Sequence, residues 1–253
     1  MSDDQPFMAQ ALDLALRGRG LTSPNPVVGA LVVEGGAVVG QGYHQRAGEA
    51  HAEVLALADA GPRARGATLY VTLEPCNHHG RTKPCVEAVL AAGIRRVVIA
   101  AADPNPRVRG GGAAALRAAG VEVVVGCLEA AARAANRAFF TAMERRRPHV
   151  TLKWAMTLDG KIAAFDRRAR WITGAAAREE AHRLRSFSDA VVVGIGTALT
   201  DDPSLDVRLS TTTRSGSLGH GVASLTSRAG SSARAVPMPT TTASLRLRSR
   251  WAS

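Results

Sequence analysis

The chain has 253 residues, of which 46% are hydrophobic and 4% aromatic, so it is long enough for one or two domains with a buried core. No apolar stretch approaches the length of a membrane span, and the acidic start of the sequence lacks the basic-then-apolar pattern of a signal peptide. Three cysteines suit a reducing compartment better than a disulfide framework. We therefore expect a cytoplasmic protein without a membrane partner.

The formal net charge of +11 raises the question of nucleic-acid binding. Residues 210–253 contain six arginines and no acidic residue, so this segment carries more than half of that charge. No basic stripe alternates with stacking aromatic residues, which does not favour nucleic acid as a partner. A modest positive balance over the rest of the chain suits a small phosphorylated substrate. The sequence leaves open whether the protein is a homo-oligomer.

Apolar residues alternate between helical and strand spacing over residues 1–147, which predicts a layered α/β domain. The predicted helices span residues 7–19, 51–60, 84–92, 113–119 and 128–147. The predicted strands span residues 27–33, 37–41, 69–73, 96–101 and 121–125. A turn at residues 34–36 joins the first two strands as a hairpin.

An arginine-rich linker at residues 145–148 precedes a second α/β unit, assigned to residues 148–209. There we predict a strand at 149–155, a helix at 175–185, a strand at 189–194 and a loop over most of 196–208. Residues 210–253 form a tail in which 17 of 44 residues are Ser or Thr. Such a composition cannot bury enough apolar surface to order itself, so we expect the tail to be disordered.

Four residues in the first unit point to metal-assisted chemistry. His51, Cys76 and Cys85 supply one imidazole and two thiols, the ligand set of a catalytic zinc ion that keeps its fourth position open for water. Zinc deaminases add a glutamate that moves protons without binding the metal, and Glu53 has the corresponding place after the histidine. Pro84 begins a predicted helix, so Cys85 lies near a helix N-terminus, which favours the thiolate. Cys127 follows an apolar run and is interpreted as a core thiol.

Eight residues separate the two ligand cysteines, whereas the general deaminase signature has two. With this long spacer, the His51–Glu53 and Pro75–Cys85 segments resemble the bifunctional deaminase/reductase family of riboflavin biosynthesis. Further matching segments are 24–29 and 103–106 in the first unit, and 153–161, 171–174 and 200–203 in the second. The resemblance covers residues 7 to about 208.

The resemblance implies a cytidine-deaminase-like three-layer domain followed by a dihydrofolate-reductase-like α/β domain that is incomplete here. It also implies two reactions. Zinc-dependent hydrolysis removes the 2-amino group of 2,5-diamino-6-ribosylamino-4(3H)-pyrimidinone 5′-phosphate, giving 5-amino-6-(5-phosphoribosylamino)uracil and ammonia. NADPH then reduces the ribose to a ribityl chain.

By the same resemblance, His44, Asp103 and Asn105 lie at the deaminase substrate. Asn25, held between two prolines, and Asn105 can each donate and accept hydrogen bonds, as an aminopyrimidinone edge requires. His78 and Arg81 lie in the spacer loop and are expected to face the substrate phosphate, for which arginine is well suited. Without the family match, the spacer residues would be interpreted as an exposed loop.

In the second unit, the family's cofactor-side or catalytic positions correspond to Lys153, Ala155, Trp171, Thr197 and Asp201. Its substrate-side positions correspond to Arg185, Leu205 and Arg208. The chain departs from the family at Ala169, where a serine often contacts the substrate. It also lacks a glycine-rich turn for the cofactor phosphates after residue 209, and the change in composition is typical of a frameshift, a truncated reading frame or a natural tail. We expect the chain to deaminate and to reduce poorly.

Two alternatives remain at this point. The chain could be a zinc deaminase of another nucleobase or nucleotide, which a panel of aminopyrimidine substrates would reveal. It could also be a regulatory protein whose basic tail binds nucleic acid, although Glu53 argues against this. Deleting residues 210–253 and measuring salt-dependent DNA binding would separate the last alternative from the enzymes.

Overall fold

The structure is a computed structural model that describes residues 4–78, 83–106, 108, 111–165, 171–208 and 221–222. The chain divides into two compact units, Met1–His149 and Val150–Ser253. Each unit is described by itself. No helix in the described residues is both long enough and apolar enough to cross a membrane.

A five-stranded sheet forms the centre of the first unit. Its strands are β1 (Gly29–Glu34), β2 (Ala37–Tyr43), β3 (Thr68–Leu73), β4 (Arg96–Ala101) and β5 (Glu122–Val125). The strand order is β2-β1-β3-β4-β5; β1 is antiparallel to β2 and β3, and β3, β4 and β5 are parallel. The predicted hairpin is present, with Gly35 and Gly36 at positive φ in its turn.

Helices cover both faces of this sheet. They are α1 (Asp4–Ala15), α2 (Ala52–Ala60), α3 (Cys85–Ala91), α4 (Gly111–Ala118), α5 (Glu129–Ala135) and α6 (Arg137–Arg145). Buried residues of α2, α3 and α4 form one apolar cluster with the sheet, and buried residues of α1, α5 and α6 form a second cluster. The sequence-based prediction of a three-layer α/β domain is therefore confirmed.

The alternation of side chains along each central strand explains the two clusters. In β4, Val97 and Ile99 belong to the cluster beneath α2, α3 and α4, whereas Val98 and Ala100 belong to the other. Successive strand residues point to opposite faces, so a strand covered on both sides must be apolar throughout. Burying each valine or isoleucine side chain stabilises the fold by about 1.5–3 kcal/mol.

Two glycines on β2 allow α2 to approach the sheet closely. A Cβ atom on Gly40 would collide with the carbonyl oxygen of Ala56, and one on Gly42 would collide with that of Ala52. Both collisions involve the helix backbone, which cannot move aside as a flexible side chain can. The close packing places the first residue of α2, and His51 before it, beside the sheet.

A polar contact at the start of α1 ties the N-terminal helix to the sheet. The Asp4 carboxylate accepts hydrogen bonds from Tyr70 Oη at 2.9 Å and from two Arg96 nitrogens at 2.7 and 3.1 Å. Asp4 and Tyr70 are both buried. The hydrogen bonds from Arg96 and Tyr70 lower the pKa of Asp4 below its ordinary value.

We expect Asp4→Asn to lower the free energy of unfolding at neutral pH by about 1.5–3 kcal/mol, the usual worth of a hydrogen bond to a charged group. A folded-state pKa below the unfolded value stabilises the protein above the unfolded pKa of about 3.9, and this contribution is lost as the pH falls through the folded pKa. The difference between wild type and variant should therefore shrink on acidification. Urea unfolding at several pH values measures it.

The control for this prediction is Asp13→Asn, because Asp13 is an exposed carboxylate on the same helix. An exposed substitution of this kind usually changes stability by less than about 0.5 kcal/mol. Equal losses for the two variants, or a loss at Asp4 that does not change with pH, would contradict the account of the Asp4 contact.

The prediction of one helix over residues 128–147 is wrong, since α5 and α6 are separate. Asn136 lies between them with φ −109° and ψ 26°, outside the helical region. Its side chain accepts a hydrogen bond from Val27 N–H and donates one to Val27 C=O, both at 2.8 Å. The alanine-rich sequence favours a continuous helix, but this long-range pair fixes a break.

The second unit contains α7 (Ala175–Ser186), β6 (Ala190–Val191), α8 (Ile195–Asp201) and β7 (Gly221–Val222), with β6 and β7 parallel. The predicted helix at 175–185 is confirmed. The predicted strand at 149–155 is wrong, because these residues pair with no strand in the described part of the chain and Leu152 and Trp154 are exposed. The strand at 189–194 is shorter than predicted, and α8 occupies part of the predicted loop at 196–208.

The prediction of a disordered tail falls almost entirely on residues outside the described part. Within residues 210–253 the structure describes Gly221 and Val222 alone, and these two form β7 rather than disordered chain.

Candidate zinc centre and deaminase site

The candidate site lies at the carboxyl ends of the parallel strands β3 and β4. Their last residues, Leu73 and Ala101, are register partners, so the segments that follow both strands leave the sheet at the same edge. The segment after β3 delivers Cys76, and the segment after β4 delivers Asp103. Crevices at the carboxyl ends of parallel strands are the usual place for ligands in α/β proteins.

Two helix N-termini complete this edge. His51 is the residue immediately before α2, and Cys85 is the first residue of α3, as the sequence predicts. The backbone N–H of Cys85 donates to Cys76 Sγ at 3.3 Å, and the N–H of Val86 donates to Cys76 O at 3.2 Å. The start of α3 therefore holds the loop that carries the other thiol.

His51, Cys76 and Cys85 present their ligand atoms to one point. His51 Nδ1 lies 3.0 Å from Cys85 Sγ and 3.6 Å from Cys76 Sγ. One nitrogen and two sulfurs all lie within 4.8 Å of one another, although the three residues are spread over 35 positions of sequence. The structure thus brings together the three predicted ligands.

This arrangement fits a zinc ion. Zinc binds thiolate sulfur at about 2.3 Å and imidazole nitrogen at about 2.0–2.1 Å, so donor atoms around one ion lie within about 4.6 Å of one another. One imidazole and two thiols are donors that zinc prefers, whereas calcium and magnesium prefer oxygen donors. Three protein ligands leave the fourth tetrahedral position for a reactant.

Hydrogen bonds among these side chains favour the ligating thiolate of Cys76 but not the ligating forms of Cys85 and His51. The bond from Cys85 to Cys76, together with the contact to His51, lowers the pKa of the Cys76 thiol. The same bond to Cys76, together with burial, raises the pKa of the Cys85 thiol. The bond with Cys76 raises the pKa of His51. One thiolate is therefore already favoured next to the imidazole.

Glu53 is buried beside the three ligands, with 4% of its surface exposed. It occupies the first turn of α2, two residues after His51, and its carboxylate contacts the Cys85 side chain. Burial raises the pKa of Glu53 above its ordinary value. A carboxyl group with a raised pKa at such a place can both accept and return a proton near neutral pH.

Asn25 and His44 form a pair next to the zinc centre. Asn25 Nδ2 lies 3.1 Å from His44 Nε2, and His44 Nδ1 lies 3.2 Å from Ala50 O. The carbonyl of Ala50 requires a proton on Nδ1, so Nε2 accepts from the Asn25 amide. The His44 ring packs edge-on against the His51 ring with centroids 5.5 Å apart. His44 is buried, which lowers its pKa, whereas Asn25 is exposed.

Asp103 and Asn105 lie on the loop after β4. Asn105 N–H donates to Asp103 Oδ1 at 2.8 Å, which folds this loop back on itself. Asp103 is buried, and burial together with the charge of Glu74 raises its pKa to about 6. Both predicted substrate residues therefore lie at the same edge of the sheet as the three zinc ligands.

Glu74 is a site residue that sequence reasoning missed. Its carboxylate is buried and accepts the N–H of Asp103 at 3.2 Å and the N–H of Ala113, in α4, at 3.0 Å. It thus joins the ends of β3 and β4 to the start of α4. In the sequence, an acidic residue directly after an apolar strand and two positions before a ligand cysteine could have drawn attention to it, but its hydrogen-bond partners are visible only in the structure.

The spacer loop is described in part. His78 lies on it and is exposed, and no contact between His78 and the zinc ligands is seen in the described part of the loop. The predicted phosphate contact of Arg81 lies outside the described residues.

The second unit brings some of its predicted residues together and not others. Arg185 and Arg208 meet around His182, whose Nδ1 lies 2.8 Å from Arg185 Nη2 and 3.0 Å from Arg208 N. His182 was not predicted. Thr197 and Asp201 share α8, and Leu205 follows with φ 55°. Lys153 and Trp171 are exposed, and Ala155 lies in a segment without secondary structure. Ala169 lies outside the described residues.

Two family models match the chain. Residues 1–101 match the "Cytidine and deoxycytidylate deaminase zinc-binding region", and residues 148–244 match the "RibD C-terminal domain". With the fold and the His51, Cys76 and Cys85 cluster, the first match defines the first unit as a zinc-binding deaminase domain. The second model is named for RibD, and the two units of the chain together match the RibD family of riboflavin-biosynthesis proteins.

Similar proteins agree with this assignment. The riboflavin biosynthesis protein RibD of Aquifex aeolicus is 54% identical over 205 residues, which cover 81% of this chain and 58% of that protein. The corresponding protein of Escherichia coli is 49% identical over 207 residues, covering 82% and 56%. The chain therefore spans just over half the length of these relatives.

Two solved structures also resemble the chain over most of its length. Acinetobacter baumannii RibD has a TM-score of 0.78 and 46% identity, with 83% of this chain and 59% of that chain covered. A diaminohydroxyphosphoribosylaminopyrimidine deaminase/5-amino-6-(5-phosphoribosylamino)uracil reductase from Thermotoga maritima also has a TM-score of 0.78, with 44% identity and coverage of 82% and 60%.

Proposed function

We propose that this chain catalyses the deamination step of riboflavin biosynthesis. Its substrate would be 2,5-diamino-6-ribosylamino-4(3H)-pyrimidinone 5′-phosphate, and its products 5-amino-6-(5-phosphoribosylamino)uracil and ammonia. The observation that carries the proposal is the buried Glu53 beside the converging ligand atoms of His51, Cys76 and Cys85. The likeness to RibD proteins supports this choice over a deaminase of another nucleobase.

In this proposal His51, Cys76 and Cys85 hold zinc and Glu53 moves protons. Bound zinc supplies Lewis acidity that makes water a nucleophile at neutral pH. The Glu53 carboxylate would take one proton from the attacking water and deliver it to the ring nitrogen. It would then carry the second proton of that water to the amino group, which leaves as ammonia while the oxygen becomes the carbonyl of the product. The burial of Glu53 keeps bulk water from competing for these protons.

The substrate side is assigned to residues at the same edge of the sheet. Asn25 presents an exposed amide whose orientation is set by His44, and Asp103 and Asn105 lie on the loop after β4. An amide and a carboxyl group together offer the donors and acceptors that an aminopyrimidinone edge needs. His78 and Arg81 remain proposed phosphate contacts from the spacer loop.

The experiment that tests the proposed function is zinc analysis of the purified protein together with ammonia release from this substrate. We expect about one zinc per chain and ammonia release that stops when the metal is chelated. Cytidine, deoxycytidylate and guanine serve as competing substrates. Preferred turnover of one of them would replace this function with that of another nucleobase deaminase. The absence of ammonia release from the proposed substrate, with or without bound zinc, would refute the proposed function.

The reductase reaction and its cofactor NADPH are proposed for the family rather than for this chain alone. Lys153, Ala155, Trp171, Thr197 and Asp201 are the proposed cofactor-side or catalytic positions, and Arg185, Leu205 and Arg208 are the proposed substrate side. In the described part of the second unit, the single sheet has two strands of two residues each, and Trp171 is 70% exposed. A dinucleotide site needs a more complete sheet and a helix N-terminus for the phosphates.

We therefore expect little or no reduction by this chain. The measurement supplies the deaminated uracil product and NADPH and follows the loss of absorbance of the reduced nicotinamide. A complete RibD protein assayed in parallel shows that the substrate is competent. Turnover comparable to that of the deaminase reaction would contradict this expectation.

The cellular setting is proposed from the thiols. Cys76, Cys85 and Cys127 are free in the structure, and thiols that must bind zinc require a reducing compartment. We place the protein in the cytoplasm, with a phosphorylated pyrimidine as its small-molecule partner. The oligomeric state, with a homo-oligomer as the proposed form, is open to measurement by light scattering.

A further inference from the structure

Asn136 makes a contact that the deaminase chemistry does not explain. Its buried side-chain amide pairs with both backbone polar groups of Val27, accepting from the N–H and donating to the C=O at 2.8 Å each. The two residues are 109 positions apart in sequence. A side chain that binds both groups of one residue fixes the orientation of that residue as well as its distance.

The segment held in this way leads to the candidate site. Val27 follows the loop that presents the exposed Asn25, whose amide lies 3.1 Å from His44 Nε2. On the other side of Val27, the C=O of Val28 accepts the N–H of His44 at 2.9 Å. Asn25 and the backbone partner of His44 therefore flank the residue that Asn136 holds.

We propose that Asn136 is a positioning residue for the substrate side of the deaminase site. It acts through Val27, setting the place of Asn25 and of its hydrogen bond with His44, and it touches neither metal nor substrate. This inference rests on the proposed function, since Asn25 is a substrate residue there. Its consequence is that a helix boundary on the opposite side of the sheet from α2 controls substrate binding.

The backbone hydrogen bonds of Asn136 are separate from those of its side chain, so the side-chain contact can be removed by substitution. Its N–H donates to Ala132 O at 3.2 Å, and its C=O accepts from Phe140 N–H at 3.0 Å. These backbone bonds at the end of α5 and in α6 do not depend on the side chain. Alanine at this position would keep them, because they are formed by the backbone. Asn136→Ala therefore removes the pairing with Val27, and with it the contact that fixes the break between α5 and α6, while these backbone bonds can stay in place.

We expect Asn136→Ala to lower kcat/KM for the phosphorylated aminopyrimidine by about 10–100-fold, mostly through KM, because a small displacement of a binding group has effects of this size. The zinc content should stay at that of the wild type. Amide hydrogen exchange in a peptide covering residues 24–28 should become faster. Asn136→Asp keeps the acceptor for Val27 N–H but sets a carboxylate oxygen against Val27 C=O in a buried place, so it should not restore the wild-type KM.

The matched control is Tyr70→Phe, which removes a different buried hydrogen bond in the same unit, the one to Asp4. It should lower the melting temperature and leave KM and the exchange at residues 24–28 unchanged. An equal rise of KM in Tyr70→Phe would show a general effect of stability and overturn the inference. Wild-type KM or wild-type exchange at residues 24–28 in Asn136→Ala would overturn it as well.

The two proposals fail in different ways. If the wild-type protein binds zinc and releases no ammonia from the substrate, the proposed function fails. The hydrogen-exchange comparison still decides whether Asn136 positions the Asn25 loop, since it requires neither substrate nor turnover. If the wild type deaminates and Asn136→Ala matches it in KM, the positioning inference fails and the proposed function stands.

Discussion

Glu53→Gln is expected to lower the deamination rate by about 10²–10⁴, the usual contribution of a general acid–base group. The amide has nearly the shape of the carboxylate and keeps an oxygen that can accept a hydrogen bond, but it cannot carry a proton between water and the ring nitrogen. Because Glu53 is not one of the three converging ligands, the variant should bind as much zinc as the wild type. Ammonia release at saturating substrate and metal analysis of the same preparation measure both results.

Glu49→Gln is the control for the loss of charge. Glu49 is exposed on the loop before α2 and lies four residues before Glu53. The Glu49→Gln variant therefore loses the same charge and leaves the buried site unchanged. It should deaminate at the wild-type rate. Wild-type turnover by Glu53→Gln would remove Glu53 from the mechanism, and loss of zinc in that variant would mean that its carboxylate holds the metal centre together.

The fold of the first unit could be predicted because its strands are covered on both faces. The segments at residues 69–73 and 96–101 are short, apolar and rich in branched residues, and such runs between helical patterns indicate parallel strands. The start of α2 and the start of α3 could be predicted from Pro84 and from the spacing of apolar residues. These signals are local, so they need no knowledge of distant contacts.

The incorrect predictions concern features that depend on contacts between residues far apart in sequence. The break between α5 and α6 depends on the bond between Asn136 and Val27, and no local pattern contains a partner 109 residues away. The alternation of Val150, Leu152 and Trp154 is typical of a strand, yet these side chains are exposed and the segment pairs with no strand in the described residues. A strand needs neighbours, which periodicity alone does not supply.

In the candidate site, too, some residues could be predicted from local sequence and others depend on distant contacts. The types and spacing of His51, Cys76 and Cys85 predicted a zinc centre because few side chains bind zinc and they occur here in a known order. The role of Glu74 could not be predicted, since it depends on which backbone N–H groups its carboxylate meets. Sequence therefore indicates the groups that carry the chemistry better than the groups that hold them in place.

Replacing either ligand cysteine is expected to abolish zinc binding and deamination and to destabilise the first unit. The metal joins the start of α2, the loop after β3 and the start of α3, so metal binding is coupled to the packing of these three elements. We expect Cys76→Ser and Cys85→Ser each to bind much less zinc than the wild type, which should bind about one zinc per chain. Both variants should also have a lower melting temperature than the wild type. Metal analysis and thermal unfolding with and without added zinc measure these effects.

Cys85→Ser should be the more damaging of the two. Cys85 has no exposed surface, and a serine hydroxyl there would be buried beside Glu53 without the packing of the larger sulfur. Cys76 is partly exposed, so a serine hydroxyl in its place can be hydrated. Cys127→Ser is the control, because Cys127 packs against the α1 side of the sheet and should keep full zinc. Full zinc in both ligand variants would refute the ligand assignment, whereas loss of zinc in Cys127→Ser would point to a general effect of thiol removal.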